Sequence, residues 1–314
     1  MGTRTRTRRT TVAAVAAVAA LALAPGCTLS QTGEGDGKDA GGGRVLAVKI
    51  DNVGPARPQT GLDAADVVYA EQVEAGLSRL MAVYAGKLPP VIGPVRSARE
   101  TDLELLRQFD DPALVFSGAQ SKLLPLISAA PLRQLSPGKA PGNAYFRGSD
   151  KPAPHNLFVR PKALDADTGD GGLGSTGFSF GPRPKGGTPE RERTVRFPAA
   201  RFTFTWAAEQ KRWLVSMDGT RARTADGRTL GASTVVVQYV KVRESRFHDR
   251  GGNNTPFTET VGSGKARVLR DGRAYEARWE RPLPQDGTEF TTADKGEPLP
   301  FAKGQVWVVY AKAA

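Results

Sequence analysis

Two arginines three residues apart close the segment Gly93-Pro94-Val95-Arg96-Ser97-Ala98-Arg99, so two guanidinium forks can meet one anion. Such forks bind phosphate or carboxylate bidentately. Ser97 reads as the N-cap of a helix, whose free N–H groups and positive dipole end add to the same attraction. A structural role fits equally: Arg96 and Arg99 can pair with Glu100, Asp102, Asp51 or Asp66, as ion-pair networks often do. Asp51-Asn52 ends an apolar run, at the kind of strand terminus where open α/β sheets gather ligands, and Arg57-Pro58-Gln59 follows. Asx residues also close turns. Glu71, Glu74 and Arg79 punctuate apolar strands and must pair if they face inward. Pro154-His155-Asn156 sets a histidine among turn formers, as a general acid or base or as a partner for a loop. The candidate ligand-binding set is Asp51, Asn52, Arg57, Arg79, Arg96, Ser97, Arg99, His155 and Asn156. No catalytic residue is assigned.

Other motifs fail on context. Gly172-Leu173-Gly174-Ser175-Thr176-Gly177 matches a dinucleotide fingerprint in letters, but no strand leads in and no helix leads out. Asp165–Asp170 starts like a calcium loop with its glycine misplaced. Gly262-Ser263-Gly264-Lys265 ends in Ala266, without the hydroxyl a phosphate loop needs. Ser136-Pro137-Gly138-Lys139 has nucleophile–lysine spacing on a turn instead of a helix. His155 and His248 are the two histidines, and neither has a second ligand at metal spacing. No metal and no cofactor is expected.

The single cysteine, Cys27, carries a different chemistry. Arg4, Arg6, Arg8 and Arg9 precede an apolar stretch from Thr11 to Ala24, and Ala24-Pro25-Gly26-Cys27 follows, the layout of a secretion leader. The apolar stretch makes roughly 21 Å of helix against a bilayer core of roughly 30 Å, too short for a permanent span. Cleavage before Cys27 and thioether lipidation account for an unpaired thiol in an exported chain. Fatty acyl chains such as palmitate supply the multiple anchors that stable attachment requires. The expected location is the outer face of a bacterial cytoplasmic membrane. Removing the four leader arginines from 44 basic residues leaves 40 against 32 acids, a net +8. That sign suits lipid headgroups, an anionic wall polymer or an envelope protein as partner. Nucleic acid is excluded by compartment and by the absence of an aromatic-interleaved basic run.

The elements that must hold these residues fall into two blocks. After a leader over 1–27 and a flexible tether over 28–43, residues 44–165 read as an N-terminal α/β domain. Val45–Ile50, Asp66–Val73, Arg79–Ala85 and Ala113–Phe116 are its strands. A helix runs from Ser97 through Phe109, and a second over Gln120–Ser128 is interrupted by Pro125. Gly and Pro fill a linker over 166–194. Residues 195–314 read as a mostly antiparallel β domain, with Asp218-Gly219, Asp226-Gly227, Asp271-Gly272 and Asp286-Gly287 as turns.

Taken in order, Ile50-Asp51-Asn52, Ala56-Arg57-Pro58-Gln59, Gly61-Leu62, Ala65-Asp66, Ser78-Arg79, Gly93–Arg99 and Pro154-His155-Asn156 resemble the YerB-like family of bacterial lipoproteins. Val261–Lys265 and Trp279 are similar to that family's C-terminal domain. Lys49 stands where the family pattern has an apolar residue. The resemblance implies a two-domain, membrane-anchored exported protein, with no activity attached. The function expected is a binding module for an anionic ligand, wall polymer or envelope protein. The alternative is a phosphoryl-transfer enzyme acting on polyprenyl-phosphate-linked wall precursors, by similarity of layout to LytR-CpsA-Psr phosphotransferases. There Arg79, Arg96 and Arg99 would hold a pyrophosphate, and Asp51 would coordinate Mg²⁺ or position a hydroxyl.

Overall fold

The last strand of the chain lies between strands from its two halves, and that placement organises the whole molecule. The computed structural model describes residues 44–313 apart from Asp167 and Arg250; the leader, Cys27 and the tether lie outside the described residues. In chain order the strands are β1 (Leu46–Asp51), β2 (Val67–Gln72), β3 (Ser78–Tyr84), β4 (Ala113–Val115), β5 (Arg133–Leu135), β6 (Tyr145–Arg147) and β7 (Leu157–Val159). Next come β8 (Thr188–Pro189), β9 (Glu192–Phe197), β10 (Ala200–Ala207), β11 (Arg212–Met217), β12 (Thr220–Arg221) and β13 (Gly231–Ala232). The rest are β14 (Thr234–Val240), β15 (Val242–His248), β16 (Asn254–Thr258), β17 (Gly262–Arg270), β18 (Arg273–Arg281), β19 (Glu289–Thr292) and β20 (Val306–Lys312). Two short helices, α1 (Glu100–Leu106) and α2 (Leu124–Ala129), complete the set with several 3₁₀ turns.

The main sheet has the order β19-β18-β17-β14-β20-β2-β3-β1-β4-β5, with β8 beside β18. Strand β20 runs parallel to both β2 and β14, so one hydrogen-bonded sheet spans residues from the two halves of the chain. Strands β1, β2 and β3 pair antiparallel. The fold is therefore mostly β, with a mixed sheet. An α/β first block is not what the chain builds, because its helices are too few and too short to cover a parallel sheet.

Both faces of the central strands are covered, which explains why Val45–Val48 reads as a continuous apolar run. On one face Leu46, Val48 and Ile50 join Phe202, Phe204 and Trp213 of a second, five-stranded sheet made of β9–β13. Phe202 and Phe204 both approach Trp307 of β20 at 6.0 Å between ring centroids. On the other face Val45, Ala47, Tyr69 and Met81 pack under Leu105 and Leu106 of α1. Asp271 and Gly272, both at positive φ, form the tight turn expected between β17 and β18.

Two local expectations are corrected. Ser97 does not cap a helix: α1 starts at Glu100, and the Asp102 carboxylate accepts the Arg99 backbone N–H at 2.7 Å. Pro125 does not interrupt α2; it occupies the first turn, where a missing N–H costs nothing. Among the described residues no helix is long and apolar enough to cross a membrane.

Candidate functional site

Directly opposed residues on neighbouring strands share a face, so the register draws one polar row across four strands. Tyr310 on β20 continues the β2–β20 register to the level of Glu71, Glu71 stands opposite Arg79, and Arg79 stands opposite Asp51. One turn of pleat deeper lies Lys49, fully buried. Its ammonium donates to Glu71 Oε1 and, at 2.6 Å, to Asp102 Oδ1. This contact explains a lysine in an otherwise apolar strand: it neutralises carboxylates from β2 and α1. Burial pushes the Glu71 carboxyl above its usual range despite that lysine.

Above this row opens a cleft of about 1050 Å³. Its floor includes Asp51 and Arg79; one wall carries Arg96, Ser97 and Arg99, another Arg147 and His155, and the β15–β16 hairpin contributes Phe247, His248 and Thr255. The Arg96 segment is clamped in place by its backbone. Asp51 donates its N–H to Pro94 O at 2.9 Å, Arg96 to Lys49 O at 2.8 Å, and Val95 to Leu157 O at 2.6 Å. Gly93 permits this approach, because a Cβ there would sit 2.7 Å from the Phe158 ring.

The arginines take different roles. Arg99 is committed to scaffolding: its Nε and one terminal nitrogen donate to the two oxygens of Glu74 at 2.6 and 2.8 Å. Thr255 adds a hydroxyl to the same carboxylate at 2.7 Å. Burial pushes the Glu74 carboxyl up, but the Arg99 fork outweighs it and holds the group below its usual range. Arg96 Nε lies 3.0 Å from Asp51 Oδ2, yet its N–H is not aligned for a hydrogen bond. His155 Nδ1 meets the same oxygen at 2.8 Å.

Arg79 stands apart. It is 7 % exposed, and among the described residues no carboxylate lies within ion-pair distance. One terminal nitrogen donates to Ser97 O at 3.4 Å, while Nε has no acceptor. Burial, and then repulsion by Arg99, pushes its guanidinium down to about 10. A cation this poorly paired in a buried position is costly.

The remaining expected residues hold loops. Asn52 Oδ1 accepts from Gln59 Nε2 at 2.8 Å and Arg57 Nε at 3.2 Å, while Asn52 Nδ2 donates to Ser78 Oγ at 2.9 Å. Arg57 reaches Asp218 beyond β11 at 2.9 Å. Asn156 accepts from Arg147 at 2.7 Å and donates to Gly148 O at 2.9 Å. The structure thus gathers Asp51, Arg79, Arg96 and His155 around one cleft, with Arg99 in its wall. The three-arginine pyrophosphate clamp is not assembled, because Glu74 holds Arg99. The hairpin residues Phe247 and Thr255 carried no signal in the sequence, and His248 was weighed there only as a metal ligand; all three enter the cleft through tertiary packing.

The fold and cleft define a mostly-β protein with a row of charged side chains across the middle strands of a sheet shared by two halves. The N-terminal domain model of the protein-of-unknown-function family DUF3048 matches residues 31–173, and its C-terminal domain model matches residues 193–308. The chain belongs to this YerB-like family. It is 24 % identical over 285 residues to Bacillus subtilis (strain 168) YerB, a protein named as a lipoprotein, covering 84 % of this chain and 80 % of that one. The crystal structure of Bacillus subtilis YerB superposes with a TM-score of 0.70 at 19 % identity, covering 88 % of this chain and 93 % of the other. That similarity establishes the shared fold.

Proposed function

We propose that the protein is an exported lipoprotein, anchored through Cys27 on the outer face of the cytoplasmic membrane, which binds an anionic ligand in the Asp51–Arg79–Arg96–His155 cleft. The lipoprotein name of its relative supports the anchoring. What carries the binding reading is Arg79. A buried guanidinium without a carboxylate is rare unless something pairs with it, and this one lines an open cleft. Arg147 lines the same space with only an amide as partner. The acids there are engaged: Glu74 by Arg99, Asp51 by Arg96 and His155, Glu100 by the Ser245 hydroxyl at 2.5 Å, and Asp249 by Asn253.

Calorimetry of the soluble chain from residue 28 onward with inorganic phosphate tests the reading. Binding that disappears in Arg79→Met, with the fold intact by circular dichroism, supports it. Unchanged binding in that variant refutes it, as does a parent chain that binds neither inorganic phosphate nor a simple carboxylate such as propionate.

A further inference from the structure

Buried polar atoms are nearly always partnered, so each orphan asks for an explanation. Three orphans gather here: Arg79 Nε, Arg96 Nε and Asp51 Oδ1. The first two are donors. The third is an acceptor on a carboxylate that is 1 % exposed and makes its contacts only through Oδ2. Asp51 and Arg79 are register partners on antiparallel strands, so their Cα atoms lie about 4.5–5.5 Å apart. A single small molecule can reach both. The orphaned atoms are closed off from solvent in the present arrangement, whereas the Arg96 and His155 side chains that contact the carboxylate remain 27 % and 20 % exposed. Ligand contact with Oδ1 therefore requires a side chain at the cleft to turn aside.

An anion alone satisfies the donors and is repelled by the acceptor. A polyol alone satisfies the acceptor and leaves the cations unpaired. Resting on the anion-binding reading, we infer that the ligand carries both groups: an oxyanion, phosphate or carboxylate, with a hydroxyl on a nearby carbon. The oxyanion takes Arg79 and Arg96, and the hydroxyl donates to Asp51 Oδ1. Such a group occurs in small hydroxy acids and in polyol phosphates, free or as units of a polymer.

Matched pairs test this on the soluble chain by calorimetry: glycerol 3-phosphate against propyl phosphate, and glycerate against propionate. A hydrogen bond to a charged group changes affinity by roughly tenfold or more, so the hydroxylated member of at least one pair should bind at least tenfold tighter. Whichever pair shows the gap identifies the oxyanion. Asp51→Asn should narrow the gap within that pair, because the amide keeps the shape but loses the charged acceptor. Should Asp51→Asn fail to fold, the matched pairs still decide. Equal affinities within both pairs, beside measurable phosphate binding, overturn the hydroxyl assignment and leave the anion reading standing. Failure of phosphate and of every paired compound to bind removes both.

Discussion

Asp51 and Arg79 face each other on adjacent strands, one acid and one base in the same register pair, yet they do not form an ion pair. The Asp51 carboxylate turns instead to Arg96 and His155, which arrive from loops more than forty residues downstream. Arg79 is thereby left without the acid that stands opposite it. An arrangement of this kind costs stability and leaves binding capacity, as functional sites commonly do.

Arg79→Met should raise stability while abolishing anion binding. The substitution replaces a buried, poorly paired cation with an apolar chain of similar length, and relief of its desolvation should gain on the order of 1 kcal/mol. Urea unfolding of the two proteins measures the gain. A destabilised variant would mean that the guanidinium is paired more completely than its geometry indicates.

Lys49→Met should have the opposite sign. It leaves Glu71 and Asp102 buried without their cation, a loss of about 3–5 kcal/mol. Adding Glu71→Gln should recover part of it, because one of the stranded charges is then gone. A double-mutant cycle in denaturant quantifies the coupling.

Acid should weaken the wall of the cleft through Glu74. Its carboxyl sits below the ordinary 4.5 in the folded protein, so the unfolded chain binds the proton more readily. The contribution is complete above about pH 4.5 and is lost as pH falls through the lower folded value. Unfolding free energies between pH 6 and 3 should therefore decline, with a shallower slope in Glu74→Gln. Identical slopes would count against the Arg99–Glu74 pair.

Gly93→Ala should disturb binding more than its size suggests. A Cβ would press on the Phe158 ring at 2.7 Å and on Leu157 O at 3.0 Å, which displaces the segment carrying Arg96. Overpacking of this kind costs about 1–3 kcal/mol. Phosphate affinity and thermal stability should fall together.

Cys27→Ala should release the protein from the membrane. Metabolic labelling with radioactive palmitate should mark the parent and not the variant. Phase partition in detergent should move the variant to the aqueous phase. Equal labelling of both would place the lipid elsewhere.

Much of the local structure is legible along the chain. Apolar runs mark β1 and β20 because strands buried on both faces carry no alternation, and Asp271-Gly272 marks a hairpin because both residues take positive φ. The proposed lipidation signal at Cys27, with its arginines and apolar stretch, rests on composition and order alone. Asp51, Arg79, Arg96 and His155 were recognisable as residues able to do chemistry. Their division of labour was not. Whether Arg99 serves a ligand or Glu74 depends on β2, β3 and the entry to α1 meeting in space, and no spacing within Gly93–Arg99 encodes that. The same holds for β20, which sits between β2 and β14 and joins both halves into one sheet. Periodicity reports which face of a strand is buried, whereas its neighbours are chosen by packing across the whole chain. Tertiary structure alone decided which charges are paired, because pairing is a property of distance.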